Sequence, residues 1–116
     1  MKNIDAIEAI RKEIINKSNL DFEVISRVIE LKRYYLGLQH ITTSNNAICQ
    51  ALKIPVEAGT RYKVVLERNN YLVASVDKFQ CDYTGEYVQF LTTNPAEFAR
   101  LIKSDPNQLN LFEDGE

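Results

Sequence analysis

Apolar residues recur along this chain first at helical spacing and later in alternation. Between Asn3 and Lys17, Ile4, Ile7, Ile10 and Ile14 fall on one side and Asp5, Glu8, Arg11 and Lys12 on the other, which predicts an amphipathic helix that needs a packing partner. After "KSNL", Asp21 is placed to cap a second helix ending near Gly37. It carries Phe22, Ile25, Ile29 and Leu36 in one row and Val24, Val28, Leu31 and Tyr35 in the next. Two adjoining rows predict burial on more than one side, in the core, in a homodimer interface, or in both.

The middle of the chain changes rhythm. Thr43 or Ser44 can cap a short helix whose Ala47, Ile48, Ala51 and Leu52 share a face, and Pro55 stops it after Ile54. A further helix from about Val56 or Glu57 to Arg68 has Tyr62, Val65 and Leu66 as its inner positions, and the Asn69-Asn70 pair suits the left-handed conformation that ends it. Two short helices joined by a tight turn make a helix-turn-helix. "YLVASVDKFQ" and "EYVQFLTT" are β-branched and aromatic, and "CDYTG" between them, with Gly85, predicts a hairpin. In "NPAEFARLIK", Asn94 is the N-cap, Pro95 the first helical residue and Glu97 the third after the cap, with Phe98, Leu101 and Ile102 on the apolar side. The expected organisation is an N-terminal helix over 1–20, a domain over 21–103 and, beginning with "SDPN", a flexible tail over 104–116. The fold class is mainly α with a small β-hairpin.

Composition sets bounds on this picture. With 116 residues, 45% of them hydrophobic, the chain can bury one core but not two. No stretch approaches the roughly 18 apolar residues of a membrane span, and the N-terminus interleaves charges with isoleucines, so a cytoplasmic location without membrane contact is expected. The net charge of −2 conceals an asymmetry. Residues 1–70 hold 11 Lys+Arg against 8 Asp+Glu, which is +3, and residues 71–116 hold 3 against 8, which is −5. A mildly basic body with an acidic tail leaves room for a DNA-binding face. Cys49 and Cys81 read as ordinary free thiols, and His40 has no neighbours at metal-ligand spacing, so neither a metal site nor a cofactor is expected. Catalysis is not expected either. The carboxylates are scattered, the 4 glycines form no phosphate loop, and nothing pairs with His40 as a triad would require.

At "AICQALKIP", "TRYKVVLERNNYLVAS" and the hairpin that follows, the chain resembles the winged helix-turn-helix family over roughly residues 20–92. The resemblance implies that the helix over 56–68 enters the major groove of double-stranded DNA. Its outward residues then read as contacts: Arg61 to guanine, Thr60 to a phosphate or a thymine methyl, and Lys63 and Arg68 to phosphates, with Glu57 and Val64 beside them. The alternative is that they form the solvated face any amphipathic helix has. Arg27, Lys32 and Arg33 are further basic positions. The hairpin tip, Asp82 to Glu86 with only Lys78 near, is acidic where the family often carries Lys or Arg, and such a tip repels phosphate.

The chain closes on "NQLNLFEDGE", apolar residues set in acid. "QLNLF" resembles the peptide by which bacterial polymerases and repair factors bind the sliding clamp, whose favoured form is glutamine, leucine, serine or aspartate, leucine, phenylalanine. Gln108, Leu109, Leu111 and Phe112 match, and Asn110 departs. The resemblance implies that Leu111 and Phe112 fill an apolar pocket on the clamp while the Gln108 amide bonds beside it. Asp114 and Gly115 stand where the eukaryotic form needs aromatics, which points to a bacterial, phage or plasmid setting. The expectation is a winged-helix adaptor of DNA metabolism recruited to the clamp. A winged-helix transcriptional regulator whose tail packs on itself and a small inhibitor that occupies the clamp are the alternatives.

Overall fold

A computed structural model of the protein describes residues 3–102. Within them six helices and one hairpin follow in order: α1 (Ile4–Ser18), α2 (Phe22–Arg27), α3 (Glu30–His40), α4 (Asn45–Leu52), α5 (Val56–Arg68), β1 (Val73–Gln80), β2 (Tyr87–Thr92) and α6 (Pro95–Ile102). The molecule is therefore mainly α with a two-stranded antiparallel hairpin. The tail over 104–116 lies outside the described residues.

In α1, the Asn3 side chain accepts from the Asp5 N–H at 3.0 Å and Asn19, at φ 62°, ends the helix by returning its N–H to the Ile15 carbonyl. Ile7, Ile10 and Ile14 are buried, whereas Ile4 is exposed. The long second helix expected from Asp21 to Gly37 is broken. Val28 and Ile29 are extended, with ψ 142° and 150°, and Asp21 makes no side-chain cap. Arg33 explains the break. Its guanidinium donates to the carbonyls of Ser26 at 3.1 Å, Val28 at 3.0 Å and Leu52 at 3.0 Å, satisfying the carbonyl ends of α2 and α4 together. The unbroken two-row face from which a homodimer was expected is not formed. Ile29 is 67% exposed and Val24 is exposed with it, while Ile25, Tyr34 and Leu38 turn inward. α3 also runs past Gly37 to His40, because Gly37 is a packing position: a Cβ there would stand 2.6 Å from Leu52 Cδ1 and 2.9 Å from Ile48 Cδ1.

Ser44 caps α4, its Oγ accepting from the Ala47 N–H at 3.2 Å, and the expected face of Ala47, Ile48, Ala51 and Leu52 is buried with Cys49. In the hairpin, Val73 faces Thr92 and Gln80 faces Tyr87, with an irregularity between Ala74 and Lys78. Buried Ser75 closes it, donating to the Asp77 carbonyl at 2.6 Å and accepting from the Phe90 N–H at 2.9 Å. Thr43 forms an isolated bridge with Leu91, and Thr92 and Thr93 hydroxyls donate to the carbonyls of Leu38 and Tyr35, so the hairpin is fastened to the end of α3 and the start of α4. One core results, in which Ile7, Ile10 and Ile14 of α1 join Ile25, Tyr34, Leu38, Ile48, Leu52 and Leu91. α6 lies across both strands. Asn94 caps it through Ala96 N–H at 3.0 Å, and Glu97, instead of completing a capping box, pairs with Arg100. Leu101 is buried as expected, while Ile102 is exposed. No helix among the described residues is long and apolar enough to cross a membrane.

Candidate nucleic-acid interface

The turn between α4 and α5 sets the direction of α5. Lys53 takes the left-handed conformation at φ 59°, its N–H returns to the end of α4, and the Ile54 N–H bonds the Cys49 carbonyl at 2.9 Å. Pro55, extended, then starts α5 at Val56. Ala58, Gly59 and Leu66 form the buried side of α5, with Tyr62 half-buried beside them. At Gly59 a Cβ would overlap Cys49 Sγ and stand 2.9 Å from Asn45 Oδ1, so only glycine lets the two helices approach this closely. The Tyr62 hydroxyl donates to Glu30 Oε1 at 2.7 Å, locking α5 to α3, and that bond with the nearby carboxylate raises the phenol's pKa. Val65, expected inside, is 45% exposed, because the buried stripe is centred on Ala58, Tyr62 and Leu66.

The opposite side of α5 presents Glu57, Thr60, Arg61, Val64 and Arg68, all exposed. Neither Arg61 nor Arg68 pairs with a carboxylate among the described residues. Lys63 is less free: it is part-buried and lies 3.5 Å from Glu67, one turn on. The Thr60 hydroxyl donates to the Val56 carbonyl at 3.1 Å, leaving its oxygen facing Asn45 Nδ2 at 3.5 Å. Of the additional basic positions, Arg33 is occupied by backbone carbonyls, Arg27 pairs with Glu23 at 3.4 Å, and Lys32 is exposed.

Beside α5, a groove of about 340 Å³ separates it from the hairpin. Asn45 and Asn46 of α4, Thr60 and Lys63 of α5, and Glu86 and Gln89 of the hairpin line it. Sequence reasoning did not assemble this groove, since its walls come from three elements and no spacing within one of them signals it. The hairpin turn is not a free tip. The Tyr83 carbonyl accepts from the Asn3 N–H at 2.7 Å and Tyr83 itself is buried, so Asp82, Gly85 and Glu86 are what the turn exposes. Cys81 is buried beneath it, 3.2 Å from Ser44 Oγ. Burial pushes its pKa up, but hydrogen bonds from Ser44 and from the turn at Thr84 and Tyr83 outweigh this and leave the thiol below its usual value. Cys49, buried against α5 and near Glu30, is pushed up to about 12.

The site thus brings Thr60, Arg61 and Arg68 onto one exposed face, with Lys63 at its edge beside the groove. Gln108, Leu109, Leu111 and Phe112 lie outside the described residues. The chain has no significant match to any protein-family model, curated protein or solved structure.

Proposed function

We propose that the chain is a non-enzymatic winged-helix adaptor of bacterial, phage or plasmid DNA metabolism, which reads duplex DNA with α5 and is recruited to the sliding clamp by its C-terminal peptide. The observation that carries the DNA half is the outward face of α5, where Arg61 and Arg68 stand exposed without carboxylate partners among the described residues while the helix behind them is fixed by Gly59 and Tyr62. An unpaired guanidinium on a rigid helix can give its N–H groups to a guanine edge or a phosphate without breaking a prior bond. Supporting this reading, a helix, the short bridge at Thr43, α4, α5 and a hairpin follow one another as in winged helices. The clamp half rests on Gln108, Leu109, Leu111 and Phe112 alone.

The deciding experiment joins two measurements on one variant. A peptide of this kind binds at about micromolar strength, near −8 kcal/mol. Leu111→Ala with Phe112→Ala is expected to cost on the order of 2–4 kcal/mol, abolishing detectable binding to a bacterial clamp while leaving thermal unfolding unchanged. A drop of several degrees in melting temperature would instead assign both side chains to the protein's own core. One observation favours the inhibitor alternative: Asp82 and Glu86 put negative charge on the exposed turn beside α5. Clamp binding that persists in a protein with no measurable duplex affinity would establish that alternative.

A further inference from the structure

The groove between α5 and the hairpin has an uneven hydrogen-bonding inventory. Two of its donors are engaged, the Lys63 ammonium with Glu67 at 3.5 Å and the Thr60 hydroxyl with the Val56 carbonyl at 3.1 Å. Three of its acceptors have no donor among the described residues, whereas Asn45 Oδ1 accepts from the Tyr34 hydroxyl and Ser44 Oγ from the Ala47 N–H. Asn46 Oδ1 is buried and meets no donor among the described residues, which makes it an unmet acceptor in a region where such groups are normally satisfied. Gln89 gives its Nε2 to the Ser75 carbonyl at 3.0 Å, and its Oε1 has no donor among the described residues. Glu86 carries a full negative charge and pairs with no cation among them. Val88 and Leu91 complete the lining with apolar surface, and the volume of about 340 Å³ suits a small ligand.

Three uncommitted acceptors, one of them ionised, beside an apolar wall select a particular chemistry. An aliphatic stem satisfies Val88 and Leu91, and a guanidinium or ammonium head supplies the N–H groups and charge that Asn46, Gln89 and Glu86 lack. Anions are disfavoured by the same carboxylate, because Lys63, the cation that the described residues place in the wall, is drawn to Glu67. We propose that this groove is a binding site for an alkylguanidinium or alkylamine cation, supplied either as a free small molecule or as an arginine side chain of another polypeptide. The proposal does not depend on DNA or clamp binding.

The test uses the full chain, isotopically labelled, titrated with agmatine while the side-chain amide signals of Asn46 and Gln89 are followed by NMR. Saturable shifts of both are expected. Glu86→Gln, a change at an exposed position whose intact fold is checked by circular dichroism, is expected to weaken binding on the order of tenfold through loss of a charge-assisted bond. Asn46→Asp, which adds charge at the unmet acceptor, is expected to tighten it, a gain that misfolding cannot mimic. A Gly-Arg-Gly peptide titrated in parallel separates the sources. Binding equal to or tighter than agmatine identifies a protein arginine as the ligand, and binding of agmatine alone identifies a free diamine-like molecule. The proposal is overturned if agmatine gives no saturable shift of these amides, if Glu86→Gln binds it unchanged, or if inorganic phosphate shifts them where agmatine does not.

Discussion

At Gly59 a single missing side chain decides how close α4 and α5 lie. An added methyl would overlap Cys49 Sγ and press on Asn45 Oδ1 and on Tyr34 Cε1 at 3.2 Å. Alanine favours a helix interior over glycine by about 1 kcal/mol, but overpacking a tight contact costs about 1–3 kcal/mol. Gly59→Ala is therefore expected to destabilise the protein by up to about 2 kcal/mol in urea unfolding, and an increase in stability would show that α4 and α5 part easily. The Cys49 thiol on the other side of this contact makes a prediction about pH. Burial and the Glu30 charge raise its pKa from 9.0 to about 12, so above pH 9 the unfolded chain releases a proton that the folded chain keeps. Fewer protons bound to the unfolded state means that stability falls as pH rises. Tyr34, also raised by its burial, adds to this fall only above its ordinary value of 10.0. Between pH 9 and 10, the melting temperature is expected to fall less in Cys49→Ala than in the native protein, and equal falls would remove the assignment.

Among the elements, those announced by local chemistry were legible in the sequence. Ser44 and Asn94 bond the first turns of α4 and α6 as their positions implied, Asn70 takes the left-handed conformation at φ 65°, and Gly85 does so at φ 80° in the hairpin turn. The 3.6-residue period likewise placed Thr60, Arg61 and Arg68 on the exposed face of α5. What the sequence did not show depends on groups distant along the chain. The apolar rows run unbroken through Val28 and Ile29, and the helix breaks there because Arg33 can satisfy carbonyls of α2 and α4 together. Arg33 looked like any other basic surface residue, and Val65 looked buried until the stripe of Ala58 and Leu66 fixed the rotation of α5. For α5 itself, Arg61→Ala combined with Lys63→Ala is expected to weaken duplex binding and to reduce the slope of log affinity against log salt by roughly one for each phosphate that is no longer neutralised. An unchanged slope with unchanged affinity would rule out groove reading by this helix.

For the whole molecule, the proposed DNA face and clamp peptide act on the same assembly when a clamp encircles duplex. Holding one site raises the local concentration for the other, so affinity for a clamp loaded on DNA is expected to exceed affinity for the free clamp by about 10²-fold. Arg61→Ala with Lys63→Ala should remove that gain while leaving free-clamp affinity intact. Fluorescence anisotropy with loaded and free clamps measures both, and equal affinities in the native protein would mean that the peptide acts alone. The bond from Asn3 to the Tyr83 carbonyl has a practical consequence for such assays. It brings the start of α1 against the hairpin turn, whose Thr84 and Glu86 border the groove next to α5. An affinity tag joined close to Asn3 therefore starts within reach of Glu86, where a histidine or lysine tract would compete for its charge, so binding measurements need a protein from which an N-terminal tag has been cleaved.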